Sequence, residues 1–203
     1  MLLIFGVRVR SKSIGAGTFH CPSCGGDRAY AHKHARRWFT LFFIPIIPMK
    51  EIGEFVQCQT CQKGFQMEVL ERPTSASLAE QMIAATREAV AQLILLDDSA
   101  STRDAGARAI SEVTGQDITD AQVQADVDHL DLSQLTPRLQ ILADVLNEHG
   151  KERFLTTVTR VAAGGGILGS ASREALDAYA RELGMTPAHA RGVIEIAVES
   201  IQG

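Results

Sequence analysis

Two cysteine pairs constrain this chain more than any other feature. Cys21-Pro22-Ser23-Cys24 is followed by Gly25-Gly26, and Cys58-Gln59-Thr60-Cys61 is followed after two residues by Gly64. A C-x-x-C step lets one tight turn present two thiolates to the same ion, and the glycines give the backbone freedom to turn under the sulfurs. Two such steps supply four soft ligands, which suits a tetrahedral Zn²⁺ with no open position. The expected cofactor is therefore one structural zinc, held by Cys21, Cys24, Cys58 and Cys61. The alternative is four free buried thiols. Disulfides fit less well in a chain that reads as cytosolic, where thiols stay reduced. The 33 residues between Cys24 and Cys58 exceed the usual ribbon spacing, so the gap carries extra structure.

Composition changes abruptly beyond this region. Residues 1–72 hold ten Lys or Arg against five acids, whereas the remaining 131 hold ten against nineteen. Nine of the eleven aromatic residues also precede Arg72. Such a shift divides the chain into a basic segment 1–72, a short linker 73–77 around Pro73, and an acidic segment 78–203. In the first segment, strands are expected at Thr18–His20, Arg28–Ala35, Arg37–Pro48, Glu54–Gln57 and Phe65–Leu70. So small a segment has little core and needs a metal staple, with its aromatics serving as that core.

Met1–Phe5 is apolar, but Arg8 and Arg10 follow at once, so no signal peptide is expected. The stretch Trp38–Met49, WFTLFFIPIIPM, has twelve residues and two prolines and cannot cross a bilayer. It reads as a buried strand ending in a proline turn, in preference to a peripheral membrane contact aided by Arg36 and Arg37. Lys33, Arg36 and Arg37 beside Trp38 and Phe39 also form a candidate nucleic-acid contact. The modest positive charge of the segment argues against that role. His20, His32 and His34 are expected on strands or at the surface, because a Cys₄ set needs no fifth ligand.

The first 72 residues resemble a zinc-ribbon family. The resemblance is carried by Gly15–Gly25 (GAGTFHCPSCG), Arg36–Pro48 (RRWFTLFFIPIIP) and Glu54–Cys61 (EFVQCQTC). It implies the same four cysteine ligands and no reaction.

After Pro73 the period becomes helical. Ser77-Leu78-Ala79-Glu80 reads as a capping box opening a first helix. Leu78, Met82, Ala85, Ala89, Leu93 and Leu96 form its apolar stripe, and Asp97-Asp98-Ser99 ends it. Further helices are expected from Thr102 to Val113, from Thr119, from Thr136-Pro137 to Asn147 with Gly150 as the stop, from Glu152 to Ala163, from Ser172 and from Thr186-Pro187. Residues 101–119 and 171–186 have similar patterns, consistent with an internal repeat. The expected fold is a small β-rich zinc ribbon followed by an all-α helical bundle.

This half resembles the TerB-like domain, named from tellurite resistance and also seen beside co-chaperone modules. The stretches Val161–Ile167, Glu174–Leu176 and Leu183–Thr186 carry the resemblance, which covers roughly residues 78–200. The family pattern implies an Asp-Gly turn with an acid seven residues on. Asp97 and Asp104 keep that spacing, but Asp98 replaces the glycine, and Gly164 or Gly165 stands where the second copy's aspartate belongs. These acids are expected to cap and solvate helix ends, in preference to binding a second metal.

The chain has no G-x-S-x-G, P-loop or H-E-x-x-H motif, and His129, His149 and His189 are expected at the surface. The expected function is non-enzymatic: a cytoplasmic, zinc-binding adaptor for an unidentified protein partner. The TerB-like resemblance implies a metal or envelope stress response. The alternative is a nucleic-acid-binding ribbon with an acidic, partner-recruiting helical half.

Overall fold

The computed structural model describes residues 5–41 and 44–202. Met1–Ile4, Phe42 and Phe43, which belong to the apolar stretches read from the sequence, lie outside the described residues. The chain forms two compact units, Met1–Ser77 and Leu78–Gly203.

The first unit is an antiparallel meander of four strands in the order β1-β2-β3-β4. They are β1 (Phe5–Cys21), β2 (Gly26–Leu41), β3 (Ile44–Cys58) and β4 (Gly64–Phe65). Each cysteine pair occupies a hairpin turn, one between β1 and β2 and the other between β3 and β4. Cys21 lies opposite Gly26, and Cys58 lies opposite Tyr30. The strands are far longer than the sequence pattern suggested. The described residues of Arg37–Pro48 are not a separate strand; Arg37–Leu41 ends β2 and Ile44–Pro48 begins β3, with Leu41 opposite Ile44. Phe65–Leu70 is not a strand either. Pairing stops at Phe65, and Met67–Glu71 forms a 3₁₀ helix that lays Met67, Val69 and Leu70 over the small core.

That core is confined to the cysteine end: Phe19, Cys21, Val56 and Cys58 are its buried residues. The buried strand expected at Trp38–Met49 is overturned, since Ile44, Ile46, Ile47 and Met49 are all exposed. Away from the turns the sheet is a single layer, and no described element of the first unit covers either face. The expected aromatic core is likewise reduced. Among the described aromatics of this unit only Phe19 is fully buried; Tyr30, Trp38, Phe39, Phe55 and Phe65 are half-buried.

The second unit is all-helical. Its helices are α1 (Ser75–Leu96, starting just ahead of the unit), α2 (Ala100–Thr114), α3 (Asp120–His129), α4 (Leu135–Val145), α5 (Glu148–Ala162), α6 (Ser170–Glu182) and α7 (Pro187–Gln202). α5 packs against α2, α6 and α7. Its Phe154, Leu155 and Val158 meet Leu93 and Ile94 of α1, Leu139 and Leu142 of α4 and Ile194 of α7 in one core. Two ion pairs tie polar groups into it. Buried Glu88 accepts from Arg138 at 3.1–3.2 Å, and buried Asp126 takes a forked bond from Arg87.

The helix starts show where local signals compete. Thr119 and Gln122 form the expected capping box, and Gly115 closes α2 in the left-handed region. However, α1 is capped by Thr74, whose hydroxyl accepts from the Ser77 N–H at 3.1 Å, so Ser77 is not the cap. α2 starts two residues early, on Ser99. Leu96, at the end of the α1 stripe, is exposed. Thr136 caps nothing, because α4 continues from a 3₁₀ turn at Leu132–Gln134. Asn147 and Gly150 do not end α4. Asn147 caps α5, and its side chain accepts from the Gly150 N–H at 2.9 Å. α6 begins at Ser170 on Gly169, leaving Ser172 buried inside it. Gly164 is required by close packing, since a Cβ there would lie 2.7 Å from the Ser101 carbonyl oxygen.

Candidate metal centre

The metal centre is assembled by the two hairpin turns at one end of the sheet. In the first, the N–H groups of Cys24 and Gly25 both donate to the Cys21 carbonyl, and Gly25 adopts φ +65°. In the second, the Gln62 N–H donates to the Cys58 carbonyl at 3.0 Å, and Gln62 itself takes φ +60°. The two knuckles therefore have the same form. The left-handed position of the second belongs to Gln62, not to the glycine two residues on, as the sequence had implied. A side chain in that region costs about 1 kcal/mol. Hydrogen bonds from Gln62 Nε2 to the Gln59 carbonyl and from Gln57 Nε2 to the Gln62 carbonyl hold it there.

The four sulfurs lie within 4.8 Å of one another. Cys21 Sγ is 3.9 Å from Cys61 Sγ, and Cys24 Sγ is 4.0 Å from Cys58 Sγ. A tetrahedral zinc with Zn–S bonds of about 2.3 Å requires sulfur separations of about 3.8 Å. The donor set thus fits the ion in number, softness and spacing. Among the described residues it is the one group of three or more His, Cys, Asp or Glu side chains arranged to hold a metal.

Residues 19–87 match a zinc-ribbon family model. The match covers both knuckles of the ribbon and begins at Phe19, leaving most of β1 outside. The four clustered cysteines of the ribbon can bind one zinc ion. No curated protein and no solved structure matches the chain.

Two of the four thiols sit in contrasting surroundings. Burial pushes Cys24 up to about 12, reinforced by hydrogen bonds with Cys21, Cys61 and Cys58. Burial acts in the same sense on Cys58, but the backbone N–H groups of Cys61 and Thr60 outweigh it and lower this thiol to about 6. Phe19 braces the site with an edge-on contact to Tyr30, ring centres 5.6 Å apart, and a tilted contact to Phe65 at 5.8 Å.

The histidines are held by carboxylates. His20 faces Asp27 at 3.4 Å, His32 meets Glu54 at 2.8 Å, and His34 lies between Glu51 and Glu54. Asp27, which the sequence did not single out, has a second role: its Oδ2 accepts from the Ser75 N–H at 2.8 Å, fastening the linker to the first knuckle.

The three candidate nucleic-acid cations are not brought together. Lys33 and Arg36, three apart on one strand, point to opposite faces, and Arg36 is engaged by Glu51 at 2.9 Å. The acids of the α1–α2 turn form a cap. Asp97 accepts from the Thr102 hydroxyl, Asp98 pairs with Arg103, and Asp104 is exposed. The Arg103 hydrogen bond lowers the Asp98 carboxyl below its ordinary range. In the helical unit, His189 lies 2.7 Å from Glu152.

Proposed function

We propose that this chain is a non-catalytic, cytoplasmic adaptor in which a zinc-stapled ribbon is joined to a TerB-like helical module. The observation that carries this reading is the closed sulfur set. Four thiolates around one ion leave no coordination position for a substrate or an activated water, so the metal serves to hold two hairpins together. The resemblance of the helical unit to TerB-like domains supports a role in a metal or envelope stress response. Among the described residues no helix is long and apolar enough to cross a membrane.

Affinity capture with the full chain, using Cys58→Ser as the control, tests the adaptor role. A partner retained by the wild type and lost by the variant supports it; identical captured sets from both sink it. Unchanged tellurite and envelope-stress tolerance in a deletion strain would remove the stress assignment.

A second reading is a nucleic-acid-binding ribbon whose acidic helical unit recruits a partner. It is favoured by the register of β1 on β2, which sets Arg8 beside Trp38 and Arg10 beside Arg36 on one face. Gel shifts of the full chain at low and physiological salt, compared with Arg36→Glu/Arg37→Glu, decide it. Micromolar binding lost on charge reversal supports this reading, and the absence of binding removes it.

A further inference from the structure

The long end of the sheet has no part in the metal centre. β2 runs sixteen residues from the first knuckle, roughly 50 Å at ~3.3 Å per residue. Across β1, β2 and β3, partnered residues share a face. Towards the far end one face therefore carries Val7, Phe39 and Ile47 in one row, then Val9 beside Arg37. Val7, Val9, Ile44 and Ile47 are each more than half exposed. A single-layer sheet with such a face is an unfinished structure, because apolar patches on proteins normally meet something.

The surroundings of this patch indicate what it meets. Arg8, Arg10, Lys12, Lys33, Arg36, Arg37 and Lys50 are distributed over the arm, with Glu51 the one acid among residues 5–18 and 33–53. Trp38, the chain's sole tryptophan, is half-buried on the opposite face, beside Arg8, three residues from the end of β2. That places it roughly 10 Å from the end of β2. Interfacial elements bury about 5–10 Å of their apolar face, and tryptophan with cations gathers at that depth.

A second copy fits the arm less well. It would bring like charges together, and β3 is blunted as an edge by Pro45, Pro48 and its register shifts against β2. Nucleic acid fits less well too, since the exposed apolar side chains are aliphatic and offer bases little to stack on.

We propose that the far end of this arm docks on an anionic membrane surface. Its aliphatic side chains enter the headgroup region while the flanking cations meet lipid phosphates. The inference does not depend on the adaptor reading, whose capture assay reports on the cysteine end.

The test uses the full zinc-loaded chain with two vesicle types, phosphatidylcholine alone and phosphatidylcholine mixed with phosphatidylglycerol. Co-sedimentation and a blue shift of Trp38 emission are expected with the anionic vesicles and not with the neutral ones. Arg10→Glu/Arg37→Glu should lower the partition coefficient by at least about 25-fold, fivefold for each cation. Ile44→Ser/Ile47→Ser should lower it by about tenfold or more. Both pairs are exposed, so zinc content should stay at the wild-type value and confirm the fold.

Lys63→Glu/Arg72→Glu, the same charge change near the other end, should bind as the wild type does. An equal loss there would reduce the effect to bulk charge and overturn the proposal. So would the absence of binding to anionic vesicles. A dimer in sedimentation velocity that Ile44→Ser/Ile47→Ser abolishes, without vesicle binding, would assign the patch to a second copy. DNA binding lost on the Arg10/Arg37 reversal, again without vesicle binding, would assign it to nucleic acid.

Discussion

Removing zinc should unfold the first unit and leave the second standing. The magnitude follows from how little else holds the ribbon together. Apart from the ligands, the buried side chains of its core cluster are Phe19 and Val56. Burying each contributes about 2–3 kcal/mol, whereas structural zinc contributes about 10–16 kcal/mol in small zinc domains. The ion therefore supplies roughly two to four times what the core supplies. The helical unit, with 23 buried residues in one cluster, has no such dependence.

The assay is limited proteolysis read by mass spectrometry, with circular dichroism alongside, before and after a high-affinity chelator. Cleavage at Arg36, Arg37 and Lys63 should become rapid, the helical signal should persist, and a core beginning in α1 should resist. Adding back zinc should restore protection, and magnesium should not. If the metal-free chain protects residues 5–74 as well as before, the sheet is stable by itself and the staple argument is wrong.

Four further outcomes follow from particular residues. Zinc affinity measured by competition should fall as pH falls, because each of the four thiols must lose its proton before its sulfur can ligate the ion. Gly25→Ala should cost about 1 kcal/mol and no more, because φ is +65° but nothing lies within 4 Å of the new Cβ; a fivefold loss of zinc affinity would report it. Arg138→Met strands buried Glu88 and should destabilise the helical unit by about 3 kcal/mol in urea, with much of that loss recovered in the double variant carrying Glu88→Leu. Gly164→Ala drives a Cβ against the Ser101 carbonyl and should cost about 1–3 kcal/mol, whereas Gly192→Ala, in open space on α7, should stabilise by about 0.5–1 kcal/mol.

The ligands were legible because a C-x-x-C turn is a local object: its four residues contain nearly all the geometry that the metal needs. The helices were legible for a similar reason, since Leu78, Met82, Ala85, Ala89 and Leu93 mark one face whatever that face meets. The ends of the helices were not. Thr74 and Ser77, or Asn147 as a stop and as a cap, are equivalent offers of a side-chain oxygen to a free N–H. The packing of the helix body selects between them. Gln62 was missed because a non-glycine residue at positive φ has no sequence signature; only its hydrogen bonds to Gln59 and from Gln57 reveal what holds it.

Sequence by itself determined the donor set, the change from strand to helix near residue 73 and the number of helices. These rest on spacings of a few residues, within which the chain's own stereochemistry acts. Tertiary structure alone decided which apolar residues are covered. WFTLFFIPIIPM has the composition of a core strand, yet its described residues at Ile44, Ile46 and Ile47 stand in the open. Burial is conferred by whatever packs opposite, which a run of residues cannot specify about itself. The sheet extends beyond the small core that zinc gathers, and that excess leaves the arm with a surface to offer.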